Sequence, residues 1–125
     1  MDDLHALRTS ARPGQVVVLT SSRSSKELSR YDAFLVRLPF AQRFGQDHDV
    51  SAFVIHQWLA KKDLLPIHLA RSTQNRWSFR VPRLEPGRYA YAIWCRECNG
   101  HMAMSWPILG VARTTTAARL LRVLP

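Results

Sequence analysis

"RWSFRVPRLEPGRYAYAIWC", residues 76–95, decides the fold. Trp77, Phe79 and Val81 alternate with Ser78 and Arg80, and after Leu84-x-Pro86-Gly87 the pattern resumes with Tyr89, Tyr91, Ile93 and Cys95. A period of two puts each set on one face of an extended strand. Pro-Gly between the two runs marks a turn. The stretch therefore reads as two strands meeting at that turn, each offering one face to a core.

Working outward, "PIHLAR" (66–71) is a short strand candidate that runs into the polar turn "STQN" (72–75). "VSAFVIHQWLA" (50–60) is the most apolar segment. Its β-branched and aromatic content favours a strand with Phe53, Ile55 and Leu59 opposite Val54, His56 and Trp58, with a helix as the alternative. "AQRFGQDHD" (41–49) is a loop by composition, and "AFLVRLPF" (33–40) puts Phe34, Val36, Leu38 and Phe40 on one strand face with Arg37 on the other. In "SSKELSR" (24–30), Ser24 and Glu27 have capping-box spacing, which predicts a helical turn or two. "QVVVLTSS" (15–22) is the first β-rich run, and residues 1–14 read as a mobile arm or short capping helix. Downstream, "WPILGVAR" (106–113) is a last strand, and "TTTAARLLRVL" (114–124), with Thr caps and Ala and Leu spacing, reads as a C-terminal helix.

The pattern predicts a mainly β single domain, a sandwich or barrel of about seven short strands over 15–113, with an N-terminal arm at 1–14 and a short C-terminal helix or tail at 114–125. Leu84-x-Pro86-Gly87-x-Tyr89 resembles the tyrosine-corner segment of immunoglobulin-like and fibronectin-like sandwiches. The resemblance implies a Tyr89 hydroxyl that bonds back to the connection before it.

No apolar run approaches the roughly 20 residues needed to span a bilayer. The N-terminus lacks a basic segment followed by an apolar one, so an intracellular location is expected. Two cysteines in such a chain read as thiols or metal ligands rather than a disulfide framework. The net charge of +9 is unevenly placed. Residues 1–63 hold nine Lys/Arg against seven Asp/Glu, whereas residues 64–125 hold nine Arg, no Lys, and only Glu85 and Glu97. The planar guanidinium fork suits phosphate or carboxylate, although composition bias in the coding sequence also raises Arg content.

Three kinds of chemistry compete for these residues. Arg71, Arg76, Arg80, Arg83 and Arg88 would form a basic patch if their strands are neighbours, with Trp94 or Trp106 available to stack on unpaired bases. In "CRECNGHMAM" (95–104), Cys95-x2-Cys98-x2-His101 offers two thiolates and an imidazole to a structural zinc, which needs a fourth ligand from elsewhere. Cys98-x2-His101-x2-Met104 also resembles the ligand loop of small cupredoxins; that resemblance implies copper, with His56 as an upstream ligand. Against both stands packing of Cys95 at a strand end and Cys98 in an Asn-Gly turn. Catalysis has less support, because a Cys/His pair needs an oriented third group and the acids are scattered.

The expectation is a non-enzymatic binding module whose Arg-rich half contacts an acidic partner, with nucleic acid leading and a structural metal at Cys95, Cys98 and His101 as an added candidate. The alternatives are a protein-interaction adaptor or complex subunit, in which self-association is an option, and a cupredoxin-like electron carrier.

Overall fold

The computed structural model describes residues 4–6, 8–21, 32–41, 47–73, 76–95, 108–111 and 120–125. Within them the chain runs β1 (Leu4–Ala6), β2 (Ser10–Ala11), β3 (Val16–Ser21), β4 (Asp32–Arg37), α1 (Leu38–Ala41), β5 (Asp47–Asp49) and α2 (Ala52–Ala60). It continues through β6 (Leu64–Ile67), β7 (Ala70–Thr73), β8 (Arg76–Arg80), β9 (Gly87–Cys95), β10 (Ile108–Val111) and β11 (Leu120–Val123). The protein is mainly β, and its strands form two sheets.

The smaller sheet is antiparallel in the order β1-β3-β8-β7. The larger is organised on β9. Strand β4 pairs along one side of it, from Asp32 opposite Trp94 to Arg37 opposite Tyr89. On the other side β11 covers the first half of β9 and β10 the second. Strand β6 adds outside β4, β5 outside β10, and β2 joins β11 in parallel.

One core cluster lies between the sheets and draws on both. Val17, Leu19, Trp77 and Phe79 come from the smaller sheet, and Leu35, Tyr89, Tyr91, Ile93, Leu121 and Val123 from the larger. A second cluster covers the far face of the larger sheet, where Phe34, Val36, Ala90, Ala92 and Trp94 meet Ile55 of α2. Both faces of β4 and β9 are thus buried, which is why they read as nearly continuous apolar runs. Each large side chain so buried contributes roughly 1.5–3 kcal/mol.

Two of the connections between the layers carry specific bonds. Arg12–Gln15 closes with Gln15 N–H donating to the Arg12 carbonyl at 3.1 Å, with Pro13 at its second position and Gly14 at φ +89° in its third, the type II requirement. In the β8–β9 connection the Tyr89 hydroxyl donates to the Glu85 carbonyl at 2.7 Å, the bond the tyrosine-corner resemblance implies. Gly87, at φ +153°, admits the chain into β9.

Four expectations are corrected. Residues 52–60 are a helix, not a strand: Ser51 caps it, its Oγ accepting from Val54 N–H at 3.4 Å. Ile55 is buried with Val54, Trp58 and Leu59 packed beside it, a helical i, i+3, i+4 stripe that β-branched content conceals. Residues 120–123 are strand β11, not helix: burying Leu120, Leu121 and Val123 while exposing Arg122 suits a strand inserted between β9 and β2. The N-terminal arm contributes β1 and β2. Strand β4 also ends at Arg37, so Leu38 and Phe40 lie on α1 instead. The helical turn expected at 24–30 and the segment 112–119 lie outside the described residues. No helix among the described residues is long and apolar enough to cross a membrane.

Candidate functional site

Strand register places many cations at one end of the molecule. Strand β9 begins opposite the end of β11, β4 ends opposite Tyr89, and β8 ends opposite the start of β3. That end carries Arg12, Arg37, Arg80, Arg83, Arg88 and Arg122, all exposed, and the turn from α2 into β6 adds Lys61 and Lys62. The carboxylates described there are Glu85 and Asp63.

These arginines differ in what they touch. Arg37 pairs with Glu85 at 3.2 Å, in an exposed geometry of small energetic weight. Arg80 donates from Nη1 to the Gly14 carbonyl at 2.6 Å, which fixes its stem against the Arg12–Gln15 turn. Arg88 and Arg122 stand directly opposite each other across the β9–β11 ladder, with Ser10 of β2 opposite Arg122 on its other side. Thr9, Ser10, Leu120 and the two arginines line a recess of about 330 Å³, and no carboxylate among the described residues joins its wall. The Arg122 N–H donates to the Thr9 carbonyl at 2.8 Å and holds the strands in this register. Like charges directly opposite in a sheet repel.

The other end of the larger sheet has a recess of about 530 Å³. Asp32, His56 and His68 stand at its rim, and Trp77 and Trp94 are among its walls. Beneath it, the Trp77 indole N–H and the Tyr91 hydroxyl are buried without hydrogen-bond partners among the described residues. Burial pushes the Tyr91 pKa well above the ordinary phenol value.

Of the residues singled out by sequence, Arg80, Arg83 and Arg88 fall at that end, Arg80 on the outer face of the smaller sheet, Arg88 on the far face of the larger one and Arg83 in the connection between them. Arg76 is exposed at the far end of β8, about 13 Å away by strand rise. Arg71 is opposite Trp77 on the bulged edge strand β7, so it falls on the other face from Arg76 and Arg80. Trp94 is 3% exposed and donates its Nε1–H to the Val50 carbonyl at 2.9 Å; it is an anchor of the second core, not a stacking platform. Arg122, Ser10 and Thr9 were missed, because residues 114–124 read as helix and 1–14 as an arm. Alternation of Leu121 and Val123 around Arg122 was the available signal.

Cys95 ends β9, half-buried, and is disulfide-bonded; the chain's one other cysteine is Cys98. This departs from the expectation of thiols, since a disulfide sulfur has no thiolate to give zinc or copper. The remaining metal-ligand candidates Cys98, His101 and Met104 lie outside the described residues, and His56 is exposed on α2. Among the described residues no three His, Cys, Asp or Glu side chains are grouped to hold a metal.

Compared with protein-family models, curated proteins and solved structures, the chain matches none. Its geometry and charge are therefore the grounds on which a function can be argued.

Proposed function

We propose that this domain is a non-catalytic module that binds a polyanion, with nucleic acid the leading ligand, through the arginine end. The observation that supports this is the segregation of charge: six arginines and two lysines against Glu85 and Asp63. A field of one sign over one end attracts a chain of phosphates whatever its sequence. The ligand would be gripped along its backbone, since Trp94 is buried and tied to Val50.

Fluorescence anisotropy of a labelled single-stranded RNA, titrated over a range of salt, tests the reading. If Arg80, Arg83, Arg88 and Arg122 each neutralise one phosphate, log K against log salt falls with a slope of about −3. Arg83→Glu and Arg88→Glu each flatten that slope by roughly one unit, and Arg76→Glu, at the other end of β8, leaves it nearly unchanged. Binding that is absent or indifferent to salt overturns the proposal.

One observation favours the adaptor reading as a second choice: Phe53 on α2 is 71% exposed and Val16 on β3 is 44% exposed. Exposed aromatic side chains are common interface anchors. A nuclease-treated sample that still elutes as an oligomer or complex on size exclusion supports this reading over the first.

A further inference from the structure

The geometry points to the recess between Arg88 and Arg122 as a seat for one phosphomonoester dianion, the terminal phosphate of a nucleic-acid strand. The inference rests on the reading of this end as anion-binding and names a discrete site within it. Two observations carry it independently of the overall charge. The first is the like-charge pair: Arg88 and Arg122 occupy directly opposed ladder positions, where Cβ atoms are about 5 Å apart. Arg37 at the same end has Glu85 beside it, whereas no carboxylate among the described residues lines this recess. The second is the recess itself, about 330 Å³, with Thr9 and Ser10 in its wall.

The donor set selects among anions. Each guanidinium carries one full charge, so a carboxylate, with a single charge, compensates one arginine and leaves the other uncompensated. An internal phosphodiester has two free oxygens and one charge. A terminal phosphomonoester has a charge of roughly −1.5 to −2 at neutral pH and three free oxygens, each able to accept more than one hydrogen bond, so it can be shared by both guanidinium groups and the Ser10 or Thr9 hydroxyl. The pair's mutual repulsion becomes a favourable term once a dianion sits between them. The parallel β2–β11 pairing brings Ser10 beside Arg122, so the seat exists only because the N- and C-terminal strands meet there.

The test compares one short single-stranded RNA carrying a 5′-phosphate, a 3′-phosphate or hydroxyls at both ends, and inorganic phosphate followed through the Arg88 and Arg122 Nε–H resonances. The expected result is that a phosphate-terminated strand binds at least about tenfold tighter than the hydroxyl-ended one. That preference is lost in Arg88→Gln and Arg122→Gln, and it survives in Arg83→Gln even though overall affinity falls. The 5′ and 3′ probes tell which end supplies the group. Equal binding of all three strands, with the two resonances unmoved by inorganic phosphate, overturns the seat and leaves the polyanion reading standing. No binding of any strand, with saturable movement of both resonances by inorganic phosphate, upholds the seat and removes nucleic acid as the ligand.

Discussion

The two halves of β9 present the same residue type to the same core and treat its polar atom in opposite ways. Tyr89, in the first half, places its hydroxyl on the Glu85 carbonyl at 2.7 Å. Tyr91, two residues on, buries its hydroxyl without a partner among the described residues, with Phe79 edge-on to its ring at 6.1 Å. The difference lies in the surroundings of each half. Tyr89 lies beside the β8–β9 connection, whose Glu85 carbonyl accepts its proton, whereas Tyr91 sits at mid-strand opposite Leu35 of β4, against the Phe79 ring. The outward residues differ in the same sense: Arg88 faces an open recess and Trp94 is tied down to Val50. One half of the strand is therefore built toward solvent, and the other toward packing.

The largest way to break the first half is to remove what seals it. Leu121 of β11 is fully buried opposite Tyr89. Leu121→Ala is expected to cost about 2–5 kcal/mol, the range for a leucine cavity that cannot collapse. Chemical denaturation reads this directly. A loss under about 1 kcal/mol would mean that β11 does not complete the inter-sheet core.

The tyrosines sharpen the contrast with opposite signs. Tyr89→Phe is expected to lose about 1 kcal/mol with its hydrogen bond, while Tyr91→Phe, which deletes an unpaired buried hydroxyl, is expected to be neutral or stabilising by up to about 1 kcal/mol. Alkaline titration gives the matching pH signature. Burial raises both phenol pKa values; at Tyr89 the Arg37 charge opposes the rise and Glu85 adds to it. Below about pH 10 both states hold the proton, so this contribution to stability is fully present. As pH climbs above that value the unfolded phenols ionise first, and stability falls toward the folded pKa values. Denaturation followed between pH 9 and 12 should show that fall reduced more in Tyr91→Phe, where burial alone acts, than in Tyr89→Phe, where the Arg37 charge opposes the rise, and equal slopes would contradict that difference.

The share of this that was legible in the sequence depends on what each pattern encodes. Alternation in β8 and β9 and the Leu-x-Pro-Gly-x-Tyr corner are local properties, and both faces assigned from them agree with the core. The α2 segment was misread because a short apolar run rich in Val, Ile and Phe fits either period, and its deciding features, the Ser51 cap and the Ile55, Trp58, Leu59 stripe, are quieter than its composition. The arginine end was half legible: Arg80, Arg83 and Arg88 are close in sequence. Arg122 and Ser10 reach Arg88 only through a three-strand register that spans the whole chain, and register is not written in any one segment. Burial of Trp94 was equally hidden, because it depends on α2 and Val50 covering the far face of the sheet.

The smallest expected effect bears most directly on why the arginine pair is there. If Arg88 and Arg122 served folding, replacing one would destabilise the sheet through its lost stem and ladder contacts. The register argues the reverse, because the pair contributes repulsion and no carboxylate among the described residues lines its recess. Arg88→Gln keeps a stem of similar length and removes one charge, so it is expected to stabilise the fold by about 0.2–1 kcal/mol at low salt, with the gain shrinking as salt screens the pair. Added inorganic phosphate should stabilise the unaltered protein and have little effect on the variant, since a ligand bound by the native state alone raises stability. A gain in stability accompanied by a loss of phosphate response is the signature of residues kept for binding at the expense of folding. A loss of stability would make Arg88 a structural residue of β9 instead.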